Sequence, residues 1–263
     1  MNAWSAVLTD HTNSNAPLQS AWSGSVFPRA AEIIKWTYSG WAEVEANRFS
    51  KMLRNVYLPE VINGSPSTNG NWELSMAEAV IAIGVFLDDE ATFDKGVALW
   101  RARVPAYLYL TTDGVTPRPP PRHPISGAAL VTYWQGQTTY MDGLCQETCR
   151  DLGHVQYGLS AMINAAETAR IQGVDLIAAE SKRIVAALEF HARFINGASV
   201  PSTLCGGTLE SVYGAPTWEI ALDAYATRRS ASLPQTQQLI GKIRPTRVDH
   251  HMNWETLTHA GVP

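Results

Sequence analysis

The sequence has no long hydrophobic run and no excess of basic residues. Its 263 residues include 20 lysines and arginines against 24 aspartates and glutamates, which gives a formal net charge of −4. Because no basic stripe offsets that charge, we expect no nucleic-acid partner. No apolar segment approaches the roughly 20 residues that span a bilayer, so we expect no membrane partner. An acidic polymer is still a candidate ligand, since a local group of arginines and histidines can bind one.

Cysteine is also scarce. The three cysteines are Cys145, Cys149 and Cys205. The first two lie one helical turn apart, which disfavours a bond between them in a regular helix. A bridge from one of them to Cys205 and three free thiols are both compatible with the sequence. The N-terminus lacks the charged and apolar regions of a signal peptide, although the mature form of an exported protein that has been given a new Met would look the same.

Segments with the period of a β-strand are lacking, and apolar residues recur with a helical period through most of the chain. The chain forms one domain in this interpretation, with an irregular segment over about residues 1–20. Antiparallel helix pairs with long loops at one end predict an all-α fold, namely an α/α toroid or part of one. A solenoid or a helical bundle is the alternative. Helices are predicted over residues 28–56 with a break near 39–40, 72–87, 91–109, 142–171, 175–196, 216–228 and 232–243.

Two long irregular stretches are predicted, at residues 111–140 and 196–216, and loops of this length are usually functional. The first contains Arg118, Arg122 and His123 among several prolines. This segment is either a solvated basic loop or a stiff cationic wall over a binding groove. In the second case His123 is a candidate for proton transfer.

Asn71 and Trp72 open the second predicted helix. They are either an N-cap and a core anchor, or an amide donor and an aromatic ring at the mouth of a cleft.

The segment QETCRDLGHVQY is the most informative part of the chain. It places Arg150, His154 and Tyr157 at spacings of four, three and seven, which bring side chains onto one face of a helix. A guanidinium, an imidazole and a phenol on one face can bind a carboxylate and move a proton. The alternative is an exposed helix face on which Arg150 pairs with Glu147 or Asp151.

Several ordered motifs resemble the alginate lyase superfamily. They are NWE followed by an apolar helix and GVFLDDEATFDKGVALW, then QETCRDLGHVQYGL, AAETARIQGVDL, ALEFHARFI and WETLTH. The resemblance covers about Ala21 to His259 and is closest to polysaccharide lyase family 38, whose members cleave alginate or β-1,4-glucuronan. It implies an incomplete (α/α) toroid and a metal-independent β-elimination without a cofactor. We expect a secreted or periplasmic monomer.

The resemblance also implies roles for individual residues. Asn71 and Arg150 would bind and neutralise the uronate carboxylate, and Tyr157 would be the catalytic phenol. His123 would be the paired histidine, with His154 or His251 as alternatives. The family has Ser or Thr and then Gly before the arginine, whereas this chain has Thr148 and Cys149. Expected substrate-binding residues are His154, Arg122, Arg118, Trp72, Gln156, Tyr140 and His251.

The C-terminal segment around His250, His251 and His259 is rich in histidine. No set of histidines and carboxylates there has a recognisable ligand spacing. We therefore predict no metal site.

Cleavage of a 4-linked uronan by elimination requires removal of the C5 proton and protonation of the leaving O4. Positive charge and hydrogen bonds on the carboxylate stabilise the intermediate. In mannuronate and glucuronate the proton and O4 share a face, so Tyr157 alone can act as base and acid, with Arg150 favouring its phenolate form. In guluronate the faces are opposite, which requires two groups such as His123 and Tyr157. We expect syn elimination and, for so short a chain, endo cleavage in an open cleft.

Two other classes of protein are compatible with the sequence. One is an α/α-toroid glycoside hydrolase that acts on uronic-acid-containing glycans. It would use two carboxylates, such as Glu73 with Asp151 or Glu147. The other is a non-catalytic carbohydrate-binding helical domain.

Overall fold

The computed structural model describes residues 1–210, 218–245, 251 and 254–261. The all-α prediction is confirmed for these residues: apart from one antiparallel bridge between Leu108 and Cys145, they contain no β-structure. The α-helices are α1 Asn2–Val7, α2 Ala16–Thr37, α3 Glu43–Met52, α4 Leu58–Val61, α5 Gly70–Phe86, α6 Glu90–Tyr107, α7 Gly127–Tyr133, α8 Leu152–Ile171, α9 Leu176–Ala179, α10 Ser181–Ile195, α11 Trp218–Leu222, α12 Pro234–Ile243 and α13 Glu255–His259. Short 3-10 turns lie at Thr111–Asp113 and Cys205–Gly207, and π-helical turns at Leu53–Tyr57 and Asp223–Thr227.

Helix α5 lies at the centre of the main core and packs against α2, α6 and α8. Every residue of α5 except Trp72 and Val85 is buried, as expected for a helix that is apolar on all sides. A Cβ atom added to Gly84 would lie 2.6 Å from the backbone nitrogen of Phe93 on α6. Glycine at this position therefore permits α5 and α6 to approach closely.

The prediction of an irregular segment over about residues 1–20 is wrong in part, because only residues 8–15 lie between helices. Residues 1–20 contain α1 and the first turn of α2, whose buried residues include Ala16, Leu18 and Ser20. Met1 and Leu8, on either side of α1, pack against the main core, and such packing stabilises a helix whose sequence period is weak.

The start of the fourth predicted helix is also wrong, since α8 begins at Leu152 rather than near residue 142. The carboxylate of Asp151 accepts a hydrogen bond from the backbone nitrogen of His154 at 2.8 Å, which caps the helix. The preceding residues form turns, in which the backbone nitrogen of Arg150 donates to the carbonyl of Glu147. Arg150 therefore lies before the helix, and the helical spacing that grouped it with His154 and Tyr157 does not apply to it.

The stretch at 111–140 is less irregular than predicted, because it contains α7. Its residues Leu130 and Trp134 belong to a second hydrophobic cluster, whose other buried members are Phe190 and Phe194 of α10 and Tyr109, Leu144 and Leu204 from the flanking segments. This cluster supports the loops next to the start of α8.

In the described residues, no helix is both long and apolar enough to cross a membrane.

Candidate functional site

The buried carboxylate of Glu147 is the centre of the candidate site. Its side chain is 0% exposed and accepts hydrogen bonds from the amide nitrogen of Asn71 at 2.8 and 2.9 Å. It also accepts from Arg150 Nη1 at 2.9 Å and from the hydroxyl of Tyr107 at 3.3 Å. Burial, and next the charge of Glu147, raise the pKa of Tyr107 well above its usual range, so this phenol stays a neutral donor. An amide and a guanidinium from distant parts of the chain thus converge on one carboxylate.

Asn71 is not the N-cap of α5, because Asn69 precedes the helix at that position. Asn71 lies in the first turn and is only 1% exposed. Its amide nitrogen is occupied by Glu147, and its oxygen is buried without a partner in the described residues. Direct binding of a substrate carboxylate by Asn71 stays a prediction, and it requires the amide to exchange Glu147 for the substrate.

Arg150 is the cation of the site that solvent can reach. Its side chain is 33% exposed and pairs with Glu147, while its Nε lies 4.0 Å from Asp151 Oδ2. The pairing that the sequence offered as an alternative is therefore present. A guanidinium has five N–H donors, and the bond to Glu147 through Nη1 leaves most of them for a ligand.

His154 and Tyr157 lie on the first two turns of α8. His154 Nδ1 lies 2.6 Å from Asp151 Oδ2, and its side chain is 32% exposed. Its ring lies 6.0 Å from the ring of Tyr157. Tyr157 is half-buried and also packs edge-on against Trp22, with ring centroids 6.4 Å apart. The phenol therefore lies next to an oriented imidazole.

The arginines of the proline-rich loop form their ion pairs with residues outside this group. Arg118 pairs with Asp113 at 2.8 Å, and Arg122 pairs with the buried carboxylate of Glu73 at 2.6 Å. The hydrogen bonds of His123 are backbone bonds within its own loop. The structure does not bring His123 into hydrogen-bond contact with Tyr157.

The remaining predicted substrate-binding residues pack against other side chains of the protein or are buried. Tyr140 packs against Tyr109 and Trp134, with ring centroids 5.5 and 5.7 Å apart, in the second cluster. Trp72 packs against the main core. Gln156 is buried.

His251 Nε2 lies 3.1 Å from the buried carboxylate of Glu78. Arg29 also pairs with Glu78, and together with His251 it holds the pKa of that carboxyl below its usual range despite burial. His250 lies outside the described residues.

Cys149 and Cys205 form a disulfide, and Cys145 is a buried free thiol. Of the two possibilities that the sequence left open, the bridge to Cys205 is the one present. The disulfide joins the residue before Arg150 to the 3-10 turn at Cys205–Gly207. A polar cavity of about 270 Å³ lies beside it and is lined in part by Arg150.

Two of the three carboxylates proposed for a hydrolase, Glu73 and Glu147, are poorly placed for that chemistry. Glu73 is 0% exposed and lies between Arg103 and Arg122, while Glu147 is bound as described above. A general acid needs access to the glycosidic oxygen, and these two side chains lack it. In the described residues, no group of three His, Cys, Asp or Glu side chains is placed to hold a metal ion.

The sequence reasoning missed the role of Glu147 as an anchor and that of Asp151 as both a helix cap and the partner of His154. The signal for the first was the Glu-x-x-Arg spacing. The signal for the second was an aspartate three residues before a histidine at the start of a helix.

The sequence model of the alginate lyase family matches residues 1–200 of the chain. The matched part contains Asn71, Glu147, Arg150, His154 and Tyr157. No curated protein matches the sequence.

Proposed function

Because the chain belongs to the alginate lyase family and is therefore a polysaccharide lyase with an acidic polysaccharide substrate, we propose that it cleaves a β-1,4-linked uronan by β-elimination. The substrate in this proposal is glucuronan or poly-mannuronate. The observation that carries it is the convergence of Asn71 and Arg150 on the carboxylate of Glu147. Glu147 fixes Arg150 through Nη1, and the other donors of this partly exposed guanidinium remain to bind the carboxylate of the reacting sugar.

Arg150 has the first role in the proposed reaction. The C5 proton of a uronate is weakly acidic while the neighbouring carboxylate is ionised. A guanidinium hydrogen-bonded to that carboxylate stabilises the enolate-like intermediate. The 33% exposure of Arg150 supports direct contact with the polymer.

Tyr157 has the second role. In glucuronate and mannuronate the C5 proton and O4 lie on the same face, so Tyr157 as a phenolate can take the C5 proton. The C4=C5 double bond forms as the C4–O4 bond breaks, and the phenol so produced gives its proton to the leaving O4. Its position on α8 beside His154, which is itself held by Asp151, supports this assignment. His154 is a positioning residue in this scheme. We also propose an incomplete (α/α) toroid, endo cleavage in an open cleft and an exported protein.

Elimination leaves a 4,5-unsaturated sugar end that absorbs ultraviolet light, whereas hydrolysis leaves none. We expect rising absorbance with glucuronan or poly-mannuronate and less with poly-guluronate. New reducing ends without absorbance would instead identify a hydrolase. Binding without either product would identify a binding domain.

Replacement of Tyr157 by Phe removes the proposed base and acid while keeping the ring contacts with Trp22 and His154. We expect kcat to fall by roughly a hundredfold or more. Turnover close to that of the wild type would disprove the role of Tyr157.

A further inference from the structure

Tyr107, the last residue of α6, has a buried phenol to which the proposed reaction gives no role. Its side chain is 0% exposed, so a polymer in the cleft cannot touch it. Burial, and next the charge of Glu147, raise the pKa of this phenol well above its usual range, so it keeps its proton. Any contribution of Tyr107 to the reaction therefore passes through the groups that it contacts.

The hydroxyl of Tyr107 contacts one oxygen of the Glu147 carboxylate. It donates to Oε2 at 3.3 Å, and the backbone nitrogen of Asn71 donates to the same oxygen at 3.1 Å. The other oxygen, Oε1, accepts from Arg150 Nη1 at 2.9 Å. The donors on Oε2 thus help to fix the direction in which Oε1 faces Arg150.

The ring of Tyr107 lies in a gap that two glycines leave open. A Cβ atom added to Gly70 would lie 2.2 Å from Cδ2 of the ring, and one added to Gly158 would lie 2.3 Å from the hydroxyl oxygen. Gly70 directly precedes Asn71 on α5, and Gly158 directly follows Tyr157 on α8. Because an alanine at either position would collide with Tyr107, the ring packs directly against the backbone of both helices.

The backbone of Tyr107 is fastened to the same turn as its hydroxyl. The backbone nitrogen of Gln146 donates to the carbonyl of Tyr107 at 2.8 Å. The side-chain oxygen of Gln146 accepts in turn from the backbone nitrogen of Gly70 at 2.9 Å. The end of α6, the start of α5 and the turn before Arg150 are therefore joined by hydrogen bonds.

We propose that Tyr107 is a positioning residue, which holds the turn that carries Arg150 in place relative to the helix that carries Tyr157. The inference rests on the proposed function and deepens it, because Arg150 and Tyr157 must act on the same sugar ring. A displacement of about 1 Å in such an arrangement can cost about a hundredfold in rate. Tyr107 contacts Glu147 and Gly158, and through them it acts on both groups.

A double-mutant cycle tests whether the hydroxyl acts through Glu147. Tyr107→Phe removes the hydroxyl and keeps the ring, and we expect kcat/KM for poly-mannuronate to fall by roughly threefold to tenfold, as for the loss of one hydrogen bond. In the Glu147→Gln background the same substitution should have a much smaller effect, since the two residues are in contact. An equal loss in both backgrounds would overturn the proposal.

Tyr225→Phe is the matched control. Tyr225 is also buried, and its hydroxyl donates to the backbone carbonyl of Ile177 at 2.9 Å, a bond that involves no residue of the candidate site. We expect this variant to unfold at lower urea concentration, as Tyr107→Phe does, and to keep the kcat/KM of the wild type when folded. If both variants lost the same activity, the effect would come from stability and the proposal would be wrong.

The ring contact is tested by Gly158→Ala, whose added methyl group would displace Tyr107. We expect kcat to fall by roughly tenfold or more. Gly84→Ala, near the end of α5, is the matched control, because its added Cβ would lie 2.6 Å from the backbone nitrogen of Phe93. That variant should lose stability and keep its kcat. Wild-type kcat in Gly158→Ala would overturn the proposal.

Modification of Arg150 by phenylglyoxal, located by mass spectrometry, measures the position of this guanidinium without turnover. We expect Arg150 to react roughly threefold to tenfold faster in Tyr107→Phe, because Glu147 then holds it less firmly. Tyr225→Phe should react at the wild-type rate. Equal rates in Tyr107→Phe and the wild type would overturn the proposal. Absent absorbance with the wild type would instead disprove the elimination, and the modification rates would still report on Tyr107.

Discussion

At the scale of single residues, Glu147 accepts hydrogen bonds from three side chains while fully buried. Glu147→Gln keeps the shape but replaces one acceptor oxygen with a donor that faces Asn71 and Arg150. We expect kcat/KM to fall by roughly tenfold to a hundredfold, because both groups lose their common partner. Stability should fall by about 1–3 kcal/mol. Activity assays and denaturant unfolding measure the two effects.

Glu167→Gln is the matched control for that substitution. Glu167 is also buried and pairs with an arginine three residues later, Arg170, at 2.7 Å. Hydrogen bonds to Arg170 and His259 and the charge of Arg228 hold the pKa of Glu167 well below its usual range in spite of burial. We expect a loss of stability without a matching loss of kcat/KM. A similar loss of activity in both variants would show that Glu147 acts only through stability.

The buried imidazole of His191 should make the free energy of unfolding depend on pH. Burial holds the pKa of this imidazole at about 4, although it also contacts the carbonyl of Ala187. The unfolded chain takes up the proton near pH 6.5, before the folded chain does. Its contribution, on the order of 3 kcal/mol, is therefore fully present above about pH 6.5 and is lost as the pH falls towards 4.

Urea unfolding at a series of pH values between those limits measures this effect. His191→Gln removes the titrating group and should flatten the dependence in that range. If the free energy of unfolding of His191→Gln depended on pH as steeply as that of the wild type, other groups would be responsible for the dependence.

At the scale of secondary structure, the first turn of α8 depends on Asp151. Asp151→Asn keeps an oxygen that can cap the helix, whereas Asp151→Ala removes it. We expect Asp151→Ala to cost about 1 kcal/mol more than Asp151→Asn, as measured by thermal unfolding. Equal stability of the two variants would mean that the cap contributes little.

The helices with strong apolar patterns were predictable from the sequence. The predicted 72–87 and 91–109 differ from α5 and α6 by two residues or fewer at each end. The start of α8 was not predictable from the sequence. The turns before this helix are fixed by the disulfide from Cys149 to Cys205, which lies 56 positions away. Local periodicity carries no information about such a constraint.

The residues of the candidate site could be predicted from the sequence, but the contacts between them could not. Arg150, His154 and Tyr157 were identified from one segment. The hydrogen bond between the side chains of Asn71 and Glu147 joins residues 76 positions apart. The local sequence around either residue does not predict this contact.

At the scale of the whole molecule, the disulfide connects the second long loop to the entrance of the site. The chain-entropy relation gives about 4 kcal/mol for its 56-residue separation. We expect Cys149→Ser with Cys205→Ser to lose up to that amount in denaturant unfolding and to raise KM. Mild reductant should reproduce both effects in the wild type, and Cys145→Ala should leave the response to reductant in place.

The burial of Cys145 has a consequence for how this pairing is preserved. Its thiol is enclosed near Glu147, and burial, reinforced by that negative charge, raises its pKa well above the usual range. Thiol–disulfide exchange requires a thiolate with access to the bond. In the folded chain the third cysteine therefore cannot attack the bond between its neighbours. Exchange to an incorrect disulfide is therefore confined to the time before the core has folded. After that, the burial of Cys145 preserves the Cys149–Cys205 bond.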